Sequence, residues 1–498
     1  MSISQIPAIR KLTILLLAAI AITGCSPTAE PQGFWAKVWS LEVGPDYQRP
    51  PLKSPEDFRS QIGPAEAASI ADQPWWKVFN DRALQDLIAT ALINNYDLQL
   101  AVARIKQARA LVGVAASEFY PQVGYQGFAG REKTFVPLEE AGGNLTFNAF
   151  AGLLNVAWEI DVWGRIRRST EAARANLLAQ EDVRRGVMLT LVSSVAAGYF
   201  NLLELDRELL IAQDSSRTYK RTLDLFTQRF EFGRDNKLPV ARAQAAYESS
   251  FSDEARLNRL IVQQENAISV LLGVYPEDIK GGRRLDAQTM PDAPVGMTTE
   301  LMKRRPDILA AEQNMIAANA EVGVAVANFF PRIGLSALYG QQTPKIGDFF
   351  SENFSIWNIA AGLAGPLFQG GRIIETYHAQ QAYWDGTIAQ YRQLILISFR
   401  EVSDSLIAQQ TLVAQRAALQ HQVAALEESV ELSLLRYTAG RASYFEVLEA
   451  EQLLFPAQDA LAQTERDQLL AVVALYRALG GGWNLSDAQW TAAPQDVR

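Results

Sequence analysis

The sequence predicts a mainly α-helical protein made of two copies of one module, each carrying very long helices and short amphipathic β segments. Three observations predict it. The chain repeats itself at a shift of 207 to 210 residues. Each repeat contains a helical run of sixty-odd residues with no proline inside it. Between the helices lie stretches in which large apolar residues alternate with small or polar ones.

The N-terminus comes first. Arg10 and Lys11 precede an apolar run from Leu12 to Ile22. Eleven or so residues cannot span a bilayer that needs ~20 in a helix, so residues 1–24 read as a secretory signal peptide. The run ends at Ile22-Thr23-Gly24-Cys25, and Cys25 is the only cysteine in the chain. It has no disulfide partner, and with only His378 and His421, far apart, a zinc site of the usual kind lacks ligands. A buried small hydrophobe is the plain alternative for a free cysteine. The four residues resemble the bacterial lipobox instead. That resemblance implies a diacylglycerol on the thiol and an N-acyl (palmitate) chain on the new amine of Cys25, a covalent lipid and no other cofactor. Several buried chains anchor firmly where one is marginal. Ser26, standing where an aspartate retains many such proteins at the inner membrane, favours the outer membrane by the same resemblance.

Residues 25–80 form a proline-rich segment of extended chain, since proline fixes φ and removes a donor. It ends at "QPWWKVFND", where Trp75 and Trp76 are expected to dock it on the body. The formal charge of −9 becomes more negative still when Arg10 and Lys11 leave with the signal, which argues against a nucleic-acid partner. No run of ~18 apolar residues is evident after the signal, so a transmembrane helix is not expected. A β-barrel stays open, because its strands are short and half apolar.

The repeat begins after residue 80. "LVGVAASEFYPQVGYQGFAG" (111–130) matches "EVGVAVANFFPRIGLSALYG" (321–340), and Gly164-Arg165 falls on Gly371-Arg372. "RFEFGRDNKLPVARAQ" (229–244) falls on "RYTAGRASYFEVLEAE" (436–451). Residues 81–290 and 291–484 are thus two modules, followed by a tail at 485–498. Each module opens with a helix of moderate length, near 84–117 and 300–328. A Phe/Tyr-Pro break leads to alternating segments, then to a long helix near 166–230 and 372–437. A Gly-Arg turn leads to a return helix near 238–272 and 445–479. Sixty-odd residues at 1.5 Å each reach about 95 Å, more than a globular core uses. Ile388, Tyr391, Ile395, Phe399, Val402, Leu406, Gln409 and Val413 step by three or four. That stripe suits a coiled-coil seam or a bundle core.

Four alternating segments follow the breaks. Val123 and Tyr125 share a face in "QVGYQGFAG", as do Phe150, Leu154, Val156, Trp158 and Ile160 in "FNAFAGLLNVAWEID". Ile333, Leu335, Ala337 and Tyr339 share another, and Trp357, Ile359 and Leu363 a fourth. Large residues outside and small ones inside fit a water-filled membrane barrel, and equally a half-buried soluble sheet. In lipid four strands cannot close alone, because an open edge leaves backbone groups unpaired. Several chains would then share one barrel.

Over nearly the whole mature chain the residues resemble the TolC-like outer-membrane factors, in the NodT-type lipoprotein branch. The likeness rests on the lipobox, "VGPDYQRP" (43–50), "WWKVFNDRALQDLIATALINNYDLQLAVARI" (75–105), the two F-[FY]-P strand entries, "VWGRIRR", "FQGGRI" and the paired Gly-Arg turns. The resemblance implies a homotrimer in which each chain gives four strands to one twelve-stranded transmembrane β-barrel and long helices to a periplasmic α-helical barrel. It implies the passive outer-membrane exit duct of a tripartite efflux pump for small molecules, working with a periplasmic membrane-fusion adaptor and an inner-membrane transporter of the resistance-nodulation-division (RND) class. Type I secretion of polypeptides is the alternative within the family. A non-conducting periplasmic coiled-coil scaffold is the alternative outside it.

Carried over by position, the turns 232–236 and 439–443 would form the periplasmic tip. Gly233, Arg234, Gly440 and Arg441 are then the adaptor contacts. Glu446 and Glu449 fall at the acidic gate positions and Tyr437 at the tying tyrosine. Two departures stand out: Pro239 replaces the acid of the first repeat, leaving Asp235 nearby as its substitute, and Ala442 replaces the tying arginine, leaving Arg436 or Arg441 to serve. A solvated helix face is the plain alternative for both glutamates. No Ser/His/Asp constellation and no phosphate-binding Gly-Lys-Ser/Thr motif is present, so no enzymatic chemistry is predicted.

Overall fold

The computed structural model describes residues 41–51, 55, 57–59, 61, 69–136, 143–291, 294, 296, 298–482 and 484–485. Cys25, the signal segment and most of the 485–498 tail lie outside them. The elements run α1 (Trp75–Val78), α2 (Arg82–Asn94), α3 (Tyr96–Ser117), β1 (Gln122–Val136), β2 (Gly143–Ile160), α4 (Arg165–Glu231) and α5 (Lys237–Leu272). The second half repeats the plan with α6 (Thr298–Arg304), α7 (Pro306–Ala327), β3 (Arg332–Thr343), β4 (Ser355–Ala364), α8 (Arg372–Thr438) and α9 (Tyr444–Ala478).

The opening helix of each module is broken in two, where one helix was expected. Asn95 takes extended backbone (φ −60°, ψ 130°). Its Oδ1 accepts the amide of Leu98 at 3.0 Å, which caps α3, while its Nδ2 donates to the Leu271 carbonyl at 3.0 Å. In the second module Pro306 does the same work, because the residue before a proline avoids the helical region and proline suits a first helical position.

Two compact units are distinguishable. The first holds the described residues up to Asp46, together with Val114–Glu171 and Ala320–Gln380. Its centre is an antiparallel sheet in the order β1-β2-β3-β4. Register places Tyr125 opposite Leu154, Leu154 opposite Tyr339, and Tyr339 opposite Trp357. One face is therefore a row of large apolar residues, with Tyr125, Trp357, Ile359 and Leu363 exposed on it. On the other face Ala157, Ser336 and Ala360 form a row of small residues, as do Gly334 and Gly362 beside Glu159. The outer edges of β1 and β4 are unpaired among the described residues. At the strand ends Trp163 stacks on Phe330 at 4.7 Å and donates Nε1–H to the Pro331 carbonyl at 2.8 Å. Arg165 holds both Glu159 and Glu118, and Arg168 holds Glu42 and Asp46 of the N-terminal segment.

The second unit, Tyr47–Gly113, Ala172–Asn319 and Gln381 onward, is helical. Val192, Val195, Tyr199 and Leu202 of α4 pack with Ile268 of α5 and Leu475 and Tyr476 of α9. Trp75 is buried in that core, and Trp76 packs beside it with rings at right angles, 5.4 Å apart. One finding departs from the hydropathy reading. Among the described residues α4 has an 18-residue window of mean hydropathy 1.6, but two-thirds of it is buried in the protein, which marks a core helix. The α8 stripe is buried at Tyr391, Ile395, Val402 and Leu406 and ends there, since Val413 is exposed. Its upper part packs on Ile308 and Met315 of α7.

Candidate functional site

The long helices meet their return helices in two turns of one design. In the first, the amide of Gly233 donates to the Phe230 carbonyl at 2.9 Å and that of Arg234 to Arg229 at 2.8 Å. In the second, Gly440 donates to Tyr437 at 2.9 Å and Arg441 to Arg436 at 2.8 Å. This pair of bonds is the Schellman ending, which needs a left-handed residue. Gly233 (φ 67°) and Gly440 (φ 69°) supply it. A Cβ on either would meet open space, so backbone conformation alone demands glycine here. Asn236 then caps α5 by accepting the Leu238 amide at 2.9 Å.

The side chains are not arranged alike. Arg436 pairs with Glu446 in the second turn, Nε to Oε2 3.5 Å. Arg229 stands 207 residues before Arg436, and its corresponding partner position is Pro239. Freed from that pairing, Arg229 holds Asp235 (Nε to Oδ2 2.8 Å) and reaches across to the second repeat, donating Nη1–H to the Tyr437 hydroxyl at 3.1 Å. Of the two arginines expected to serve in place of Ala442, Arg436 is the one that reaches a gate acid, Glu446; the bond on Tyr437 comes from Arg229 of the other repeat. Asp235, Tyr437 and Arg229 are brought together; Arg436 and Glu446 form a separate pair. Glu449 is exposed, and among the described residues it makes no ion pair or hydrogen bond. The side chains of Arg234 and Arg441 are exposed at the turns.

Between the hairpins lies a cleft of about 410 Å³ lined by Phe226, Arg229, Asp235, Pro239, Tyr437 and Phe445, among others. Arg242 lies over the Phe445 ring, 5.3 Å from its centre. Tyr444 closes the cleft on one side. Its ring meets Tyr437 edge-on at 5.4 Å and Phe226 at 4.7 Å. Its hydroxyl is 2.6 Å from Thr222 Oγ1 on α4 and donates to Glu451 Oε2 at 3.3 Å. Arg229, Tyr444, Thr222 and Glu451 were not singled out from sequence. For Arg229 the signal was available, in its alignment with Arg436. For the others no local pattern marks the contact, which joins residues 222 apart. The chemistry of this constellation is mechanical: a guanidinium and a phenol pin one hairpin to the other.

The sequence pattern of the family described as "Outer membrane efflux protein" matches residues 87–274 and 298–481. The chain belongs to the outer membrane efflux protein family. This efflux protein is 33% identical over 446 residues to TtgC of Pseudomonas putida, a probable efflux pump outer membrane protein, covering 88% of this chain and 92% of TtgC. It is 32% identical over 476 residues to the cation efflux system protein CusC of Escherichia coli K12, covering 93% and 98% of the two chains. Among solved structures it is similar to the outer-membrane channel OprN, with a TM-score of 0.82 and 29% identity over 89% of this chain and all of that one. The fold is the TolC-like fold of outer-membrane efflux channels, and this efflux protein is a component of the Gram-negative outer membrane.

Proposed function

We propose that three copies of this chain form the passive exit duct of a tripartite pump, passing small molecules from a periplasmic adaptor and an RND-class inner-membrane transporter to the exterior, with no catalysis of its own. One observation carries the reading. The four-stranded sheet has an exposed row of large apolar residues on one face, mostly small and polar residues on the other, and two edges unpaired among the described residues. Such a sheet is stable in lipid only when sister sheets pair its edges. Three sheets make twelve strands, and the small-residue face then lines a water-filled lumen.

In this reading the Gly233-Arg234 and Gly440-Arg441 turns meet the adaptor. The Arg229–Tyr437 bond, the Arg229–Asp235 and Arg436–Glu446 pairs and the exposed Glu449 form the periplasmic gate, and Cys25 carries the lipid that tethers the duct. The test is the purified, detergent-solubilised protein in planar bilayers. A trimer that conducts supports the duct; a monomer that leaves bilayers tight overturns it.

A further inference from the structure

Glu451 is a carboxyl 6% exposed in a seam between the two repeats, two helical turns along α9 from Tyr444. The groups that face it come from every element of that seam. From α4 come Tyr219, whose own ionisation burial pushes up to about 12, and the neutral Thr222. From α5, Tyr247 packs on the same apolar cluster, with the Lys220 ammonium 5.6 Å from its ring centre; that ammonium is held by Asp224 at 2.9 Å. From α9 itself comes Tyr444, whose ring touches Tyr437 of α8. Tyr219, Ala246 and Leu448 enclose the site, with Phe455 beside them. Among the described residues no lysine, arginine or histidine pairs with Glu451. Its near neighbours in sequence are turned elsewhere, Glu446 to Arg436 and Glu449 to solvent.

We propose that Glu451 is a positioning residue that makes the closed latch proton-dependent, acting through the Tyr444 hydroxyl that joins it to Thr222. The inference rests on the duct reading above. Neutral, Glu451 completes a short relay, Glu451–Tyr444–Thr222, that ties α9 to α4 and sets the Tyr444 ring against Tyr437. Ionised, it leaves a buried charge with one phenolic donor and no cation, which the seam relieves by opening and admitting water. Burial raises the carboxyl from its ordinary 4.5 to about 7 in the closed seam. The sign follows from linkage. The closed state holds the proton more tightly, so acid favours closure. The open-to-closed ratio climbs by up to about tenfold per pH unit between the two values and levels off above the higher one.

Two other carboxyls, the buried Glu204 and the half-buried Asp459, are also raised to about 7 by burial and like charge, and neither touches the latch. They serve as controls. The experiment is the full-length lipidated protein in planar bilayers, stepped in pH from 4.5 to 8. We expect the open fraction of the parent protein to rise to about pH 7 and then flatten. Glu451→Gln, the neutral isostere, should conduct but stay at the acid level throughout, and Glu451→Asp should restore a slope. Glu204→Gln and Asp459→Asn should keep the parent slope. A parent profile without slope, a slope surviving in Glu451→Gln, or one abolished by a control overturns the proposal while leaving a conducting duct intact. Amide hydrogen exchange of residues 444–455 in detergent, corrected for intrinsic pH dependence, reads the seam even where nothing conducts. Protection that falls with pH in the parent and not in Glu451→Gln supports the switch, and identical profiles overturn it.

Discussion

Arg229 shows how a duplicated residue acquires a new task. Its counterpart Arg436 keeps a carboxylate ten residues on, Glu446, while Pro239 denies Arg229 the same partner. The guanidinium turns instead to Asp235 and to the Tyr437 hydroxyl of the other repeat. Of its two contacts only the bond to Tyr437 crosses between the hairpins, and at about 0.5 kcal/mol it would hold a closed–open balance by roughly twofold. Arg229→Gln and Tyr437→Phe should therefore each raise the open-to-closed ratio in planar bilayers by about that factor. Arg441→Gln should leave the open fraction unchanged, because its side chain reaches neither Tyr437 nor Glu446 among the described residues. An equal effect of Arg441 and Arg229 would return the tie to the turn itself. Tyr437 and Asp235 were candidates from the sequence because the family resemblance marks Tyr437 by position and leaves Asp235 as the acid nearest to Pro239. Their shared partner was hidden because the contact crosses from one repeat to the other, where spacing along the chain carries no information.

At the scale of elements, the helices and strands were legible because their periods are long and clean. Sixty-odd residues without a proline, and alternation such as Ile333, Leu335, Ala337 and Tyr339, leave few other conformations. Breaks made by a side chain rather than by proline were not legible. Pro306 announces the split before α7, whereas Asn95 splits α2 from α3 only because Leu271 of α5 offers it a carbonyl. The end of α5 uses the same Schellman glycine as the latch turns but in a crowded place. A Cβ on Gly273 would lie 2.5 Å from the Asn94 carbonyl oxygen, while one on Gly233 would meet nothing. Gly233→Ala should thus cost about 1 kcal/mol from left-handed backbone alone. Gly273→Ala should cost about 2–4 kcal/mol, since overpacking adds to strain. Thermal unfolding followed by circular dichroism in detergent should place Gly273→Ala clearly below Gly233→Ala; equal midpoints would mean that the α2–α5 contact yields freely.

For the molecule as a whole, the two faces of the sheet carry the functional assignment, and alternation alone left them ambiguous. Ile359 and Ala360 are neighbours on β4, facing opposite sides of the sheet, the first paired in register with Ala337 and the second with Ser336. In a shared barrel Ile359 meets lipid and Ala360 meets water. An arginine near mid-bilayer on the lipid side costs about 2–4 kcal/mol, and a trimer would bear that cost three times. Ile359→Arg should therefore abolish the heat-resistant oligomer in outer-membrane fractions. Ala360→Arg should assemble normally and add positive charge to the lumen, shifting the channel toward anions in bilayer reversal potentials. A soluble sheet half-buried on protein would respond differently, because neither face would sense lipid and no reversal potential would exist to shift. If Ile359→Arg assembles and conducts as the parent does, the exposed apolar row of Tyr125, Trp357, Ile359 and Leu363 does not face the bilayer, and the twelve-stranded closure loses its physical basis.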